Sequence, residues 1–148
     1  MENLRYRPKG NFTWEAEWQH LYTVTEHWLS DLQFYKDDLD FLYHLIDKYF
    51  LWLAQKDNLA EMKELTTGLS GEIKEYDKLV QKTAKHLMHL SELIDDPFKY
   101  DSHQFRSEHE ELENEIADFV KKFRKNKKET FAITEQAIKK EIKKRLMP

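Results

Sequence analysis

Seven histidines and no cysteine set the chemistry open to this chain of 148 residues. Without thiols there is no disulfide, no thiolate metal site and no cysteine nucleophile, so imidazole and carboxylate groups remain. Asp31 follows His27 by four residues, Glu113 follows His109 by four, and His86 and His89 are three apart. Residues three or four apart share a helix face, so each pair can clamp one ion or orient one imidazole. A site built from His27, Asp31, His86, His89, His109 and Glu113 would suit Zn, Fe or Mn. Di-iron bundles use two Glu-x-x-His pairs on separate helices, whereas this chain has one, Glu17–His20. The competing reading needs no metal: a buried histidine bonded to a polar neighbour simply joins two helices.

Other chemistry has less to stand on. A Gly-rich phosphate loop, a GxSxG elbow and an HExxH pair are all missing from the sequence, so the chain reads as non-enzymatic. Trp14, Trp18 and Trp28 fall at seam spacing, which places them in packing rather than in a binding cleft. The basic run Lys121, Lys122, Arg124, Lys125, Lys127 and Lys128 lies on all sides of a helix and presents no single recognition face. It allows weak contact with phosphates or an anionic surface. Charge is unevenly spread: residues 11–120 sum to −14, residues 121–148 to +8, and residues 1–10 to +2. An acidic body opposes a nucleic-acid duplex and equally invites the basic tail of its own chain or of a second copy.

The elements that position these residues are helices. From Thr13, a candidate N-cap, steps of four and three run through Trp14, Trp18, Leu21, Thr25, Trp28, Leu32, Tyr35, Leu39, Leu42, Ile46, Tyr49 and Leu53. A flanking row of Val24, Phe34, Phe41, Leu45 and Trp52 widens the stripe, as in a bundle helix with neighbours on two sides. A turn at Ala54–Asp57 and a capping box at Asn58 and Glu61 open a second helix. Its seam reads Met62, Leu65, Leu69, Ile73, Tyr76, Val80, Thr83, Leu87, Leu90 and Ile94, with Gly68 and Gly71 as a kink or break. Asp101 or Ser102 caps a third helix with Phe105, His109, Leu112, Ile116, Phe119 and Phe123 in its seam. Beyond Asn126 the apolar phase drifts to Phe131, Thr134, Ile138, Ile142 and Leu146, closer to an eleven-residue than a seven-residue spacing.

These elements predict an all-α, elongated antiparallel bundle of three long helices, about 14–54, 58–95 and 102–146, with coiled-coil-like packing. A fourth helix would follow from a break near 68–71 or 126–130. Residues 1–13 read as a flexible arm, and 14–148 as one domain with a basic C-terminal helix end. Three Gly and three Pro are too few for an all-β chain, and 14% aromatic residues argue against disorder. With no apolar leader and no long apolar run, a cytoplasmic location without a membrane span is expected.

The segment Glu26–Leu42, EHWLSDLQFYKDDLDFL, resembles the first-helix signature of a group of small uncharacterised bacterial proteins, of the form E-H-x-x-W-x-x-E-L-x-F-Y-x-D-E-L. Aligned from Trp28, Asp31 and Asp38 stand where that pattern has Glu, and Glu26 and His27 adjoin Trp28 where the pattern has two residues between. The resemblance implies a helical bundle and assigns no activity. The sequence as a whole reads as a self-associating interaction or scaffold bundle, in which an antiparallel dimer would set one tail on the other copy's acidic face. The alternatives are a metal-binding bundle and weak nucleic-acid contact through the tail.

Overall fold

The computed structural model describes residues 11–49 and 59–146, and every regular element among them is helical. A short α1 (Phe12–Glu15) is followed by α2 (Trp18–Lys48), α3 (Leu59–Asp95) and α4 (Ser102–Leu146). The three long helices pack against one another, as the all-α reading requires. The first helix starts differently from the expected 14: Asn11 rather than Thr13 precedes α1, and Ala16 is extended between α1 and α2. Its expected end at 54, the turn Ala54–Asp57 and the Asn58 cap lie outside the described residues. At the start of α4 the expected cap is present: Asp101 accepts from the Gln104 N–H through Oδ1 at 2.9 Å, satisfying one of the orphan donors of the first turn.

Neither expected break occurs. Helix α3 runs through Gly68 and Gly71, and α4 runs through 126–130, so no fourth helix arises there. Two glycines cost about 1 kcal/mol each in a helix interior. The buried side chains around them, Met62, Leu65, Leu69 and Tyr76, outweigh that cost by tertiary packing.

Within α2 the seam falls where the spacing places it from Leu21 to Ile46, with Leu21, Thr25, Trp28, Leu32, Leu39, Leu42 and Ile46 buried and Tyr35 half-buried. Trp18 and Tyr49 are half-buried, and Trp14, expected in packing, is exposed on α1. The flank of α2 does not follow the spacing, since Val24 is buried but Phe34 and Phe41 are exposed. In α3 the buried positions are Met62, Leu65, Leu69, Glu72, Tyr76, Leu79, Thr83, His86, Leu90 and Leu93. This is an unbroken alternation of three and four. Ile73, Val80, Leu87 and Ile94 therefore sit one residue off the seam, on its edge. The same rule holds in α4, where Phe123 is followed by half-buried Asn126 and then by buried Thr130, Ile133 and Ala137. Of the expected drifted phase Thr134 alone is buried and Ile138 is half-buried, while Phe131, Ile142 and Leu146 are exposed.

The chain divides into two compact units. The first takes Met1–Tyr35 and Glu75–Lys121, the second Lys36–Lys74 and Lys122–Pro148. In the first unit Trp18 meets Phe105 and Tyr35 meets Phe119, so α2 and α4 run parallel there, while Tyr76 meets Phe119 and His86 meets Phe105 with α3 antiparallel to both. In the second unit Asp38 pairs with Lys127 and Phe41 with Phe131, again with α2 and α4 parallel. Two of the buried threonines are tied to their own helices: Thr25 donates to the Leu21 carbonyl at 2.8 Å and Thr130 to the Asn126 carbonyl at 2.7 Å.

The two glycines of α3 make unequal demands. A Cβ on Gly68 would lie 3.1 Å from Asn126 Oδ1, whereas one on Gly71 meets nothing within 4 Å. Gly71→Ala is therefore expected to raise the unfolding free energy by about 1 kcal/mol. Gly68→Ala should gain clearly less, because the Asn126 amide has to move. Urea denaturation of both variants checks this, and equal gains would count against the Asn126 contact.

Candidate functional site

The shift of the α3 seam by one residue brings His86 into the core of the first unit, where α4 already presents His109. His86 is 7% and His109 1% exposed. Their rings join directly, with His86 Nε2 and His109 Nδ1 2.8 Å apart, so one N–H donates to the bare nitrogen of the other. Aromatic rings close both sides. Trp28 of α2, fully buried, stacks on His109 with centroids 4.6 Å apart. Phe105 lies parallel to His86 at 4.4 Å. Thr83, one turn before His86, is also fully buried, and its hydroxyl makes no hydrogen bond.

This setting determines protonation. Burial holds the His86 imidazole down at about 4, helped by the nearby charge of His89. Burial likewise holds His109 at about 3, with His86 and the Arg106 guanidinium acting in the same direction. Both rings are therefore neutral around pH 7, because a charge on either would be desolvated by burial.

Around the pair, the end of the first unit is closed by side chains that, Trp14 and Trp18 apart, the sequence did not single out. Arg106 donates through one guanidinium nitrogen to the carbonyls of Thr13 at 2.8 Å and Ala16 at 2.7 Å, and its guanidinium lies 4.1 Å from the Trp18 ring centroid. It thus takes up two main-chain acceptors near the junction of α1 and α2. Trp14 Nε1 donates to Glu110 at 2.8 Å. The Tyr100 hydroxyl donates to Glu92 at 2.5 Å, and Lys99 reaches the same carboxylate oxygen at 3.0 Å. The Tyr100 hydroxyl and Lys99 together pull the Glu92 carboxyl below its ordinary range. Below this network Ala16, Leu21, Leu90, Leu93 and Phe105 form one apolar cluster.

Of the six residues proposed as metal ligands, the structure brings His86 and His109 into direct contact. His89 is half-buried against the Tyr100 ring at 5.0 Å, beside a cleft of about 250 Å³. Glu113 is buried one turn beyond His109, and His27 and Asp31 are half-buried on α2. Among the described residues no group of three or more His, Asp or Glu side chains converges to hold a metal ion. Of the basic run, Lys121, Lys122, Arg124, Lys125 and Lys128 are exposed. Lys127 is half-buried, 3.6 Å from Asp38 and over the Phe123 ring at 5.8 Å.

Compared with known proteins, the chain matches no family model, no curated protein and no solved structure. No described helix is long and apolar enough to cross a membrane.

The histidine pair makes stability acid-sensitive. Folding lowers both values from 6.5 to about 4 and about 3. Between 6.5 and those values the unfolded chain binds protons that the folded chain refuses, so stability present above 6.5 is lost as pH falls. By pH 5 each ring should have withdrawn about 2 kcal/mol, roughly 4 kcal/mol together. Chemical denaturation at pH 7 and pH 5 measures this loss. The double variant His86→Leu/His109→Leu, which removes both partners at once, should lose most of the difference; an unchanged difference would place the titration elsewhere.

Proposed function

We propose that this protein is a helical interaction module that works through the outer faces of its helices and associates with itself. The observation that supports this best lies in the second unit, where the strict seven-residue seam leaves large apolar side chains outside. Phe41 and Phe131 pair on the surface at 6.5 Å, and Ile142 and Leu146 are exposed further along α4. A cleft of about 470 Å³ in the same unit is lined by Tyr43, Ile46, Met62 and Leu69 among others. Contiguous apolar surface with a charged rim is how contact sites present themselves. The −14 body and the +8 tail add attraction between copies.

A second reading, metal binding, draws on one feature: two neutral imidazoles whose nitrogens face each other at 2.8 Å, with Glu113 one turn away. Neutral nitrogens are what a borderline metal takes. Contact of the basic tail with nucleic acid is a weaker alternative, marked by binding that collapses as salt rises.

One tag-free sample decides between the first two. Sedimentation from low micromolar to near-millimolar concentration is expected to show a mass above the 18.1 kDa monomer that grows with concentration, and a constant monomer would overturn self-association. Elemental mass spectrometry of the same sample, after equilibration with Zn, Fe and Mn and desalting, should find no stoichiometric metal. A near-integer content lost in His86→Leu/His109→Leu would make the metal reading the right one.

A further inference from the structure

On one face of the second unit, α2 and α4 lie side by side and parallel, tied by the 3.6 Å approach of Lys127 to Asp38 and by the Phe41–Phe131 ring pair. Phe41 is 55%, Phe131 42% and Ile142 52% exposed. Ile138, seven residues after Phe131, is half-buried on the same line. These α4 residues are the ones whose spacing suggested a drifting core seam. They form a genuine apolar stripe, and the second unit buries a different face of α4.

The two helices of this face differ in charge. From Lys36 to Lys48, α2 carries four Asp against two Lys, a net −2. From residue 122 to 146, α4 carries ten Lys and Arg against three Glu, a net +7. Asp37, four before Phe41, and Arg124 and Lys128, seven and three before Phe131, are exposed at the edges of the apolar strip. The face therefore carries an apolar centre with an acidic helix on one side and a basic helix on the other. That makes it complementary to a rotated copy of itself.

We propose that this α2–α4 face is an isologous dimer interface whose occupant is a second copy of the chain. The two-fold axis runs parallel to the helices, so that α2 of each protomer lies over α4 of its partner. An axis across the helices would stack α4 on α4, and the +7 of each would repel the other. The favoured arrangement is thus parallel, unlike the antiparallel one suggested by the charge runs alone. It buries Phe41, Phe131, Ile138 and Ile142 in the centre and leaves the charges at the rim, the usual anatomy of a protein interface.

This inference rests on the self-association reading and is tested on the full chain by light-scattering mass and dimer dissociation constant. Phe131→Gln with Ile142→Gln, at positions open enough to spare the fold, should weaken the dimer about tenfold or more, with helicity by circular dichroism unchanged and melting unchanged at concentrations where both chains are monomers. Arg124→Glu with Lys128→Glu should also weaken it, and adding Asp37→Lys should restore part of the loss. Raising salt should weaken the unmodified dimer. A wild-type chain that stays monomeric overturns self-association and this face together. A dimer that keeps its wild-type affinity in Phe131→Gln/Ile142→Gln leaves self-association standing and overturns this face. A dimer broken by the apolar pair yet indifferent to charge reversal and salt overturns the α2-over-α4 arrangement.

Discussion

A helix that buries one side chain at alternating steps of three and four keeps a single face toward its neighbours. Here α3 and α4 hold that alternation through polar residues as well as apolar ones. Glu72 and His86 take core positions in α3, and Asn126 and Thr130 take seam positions in α4. The alternative phase would bury Ile73, Val80 and Leu87, but it requires two successive steps of four at Leu65, Leu69 and Ile73, which rotate the buried face away from the other helices. Both features of functional interest follow from the same phase. It brings His86 to His109, and it leaves Phe131 and Ile142 outside.

The polar members of the first unit's core also specify how its helices meet. Two imidazoles that satisfy each other across α3 and α4 do so in one register. Any slip of a turn leaves two buried ring nitrogens without partners, at about 1–3 kcal/mol each. A polar pair inside a bundle trades stability for a defined alignment. Trp28 and Phe105 reinforce the choice, because their rings stack on the imidazoles only when all three helices are in step.

How far the sequence disclosed this depended on whether apolar character and geometric phase agreed. Along α2 they agree from Leu21 to Ile46, and in α4 from Phe105 to Phe123, so the seams and the placement of His109 were legible. In α3 two series seven residues apart run side by side, Ile73–Val80–Leu87–Ile94 and Glu72–Leu79–His86–Leu93. Hydrophobicity favours the first series, and packing selects the second. The uninterrupted three-four count from Met62 to Leu93 was the available signal, and it runs through a glutamate and a histidine. The Arg106 contacts had no comparable trace, because their acceptors are main-chain carbonyls freed where the chain turns extended at Ala16. Such acceptors depend on path and carry no residue type.

The stacking of Trp28 on His109 has a photophysical consequence. A fully buried indole emits at shorter wavelength than one in water, and a protonated imidazole in contact with it quenches the excited state, whereas a neutral ring does so far less. With centroids 4.6 Å apart, Trp28 sits within that range. Trp14 is partly in solvent, and Trp18 lies under the Arg106 guanidinium. Among the described tryptophans the blue edge of the intrinsic emission therefore belongs to Trp28, which is an internal optical gauge of whether the imidazole beneath it is charged.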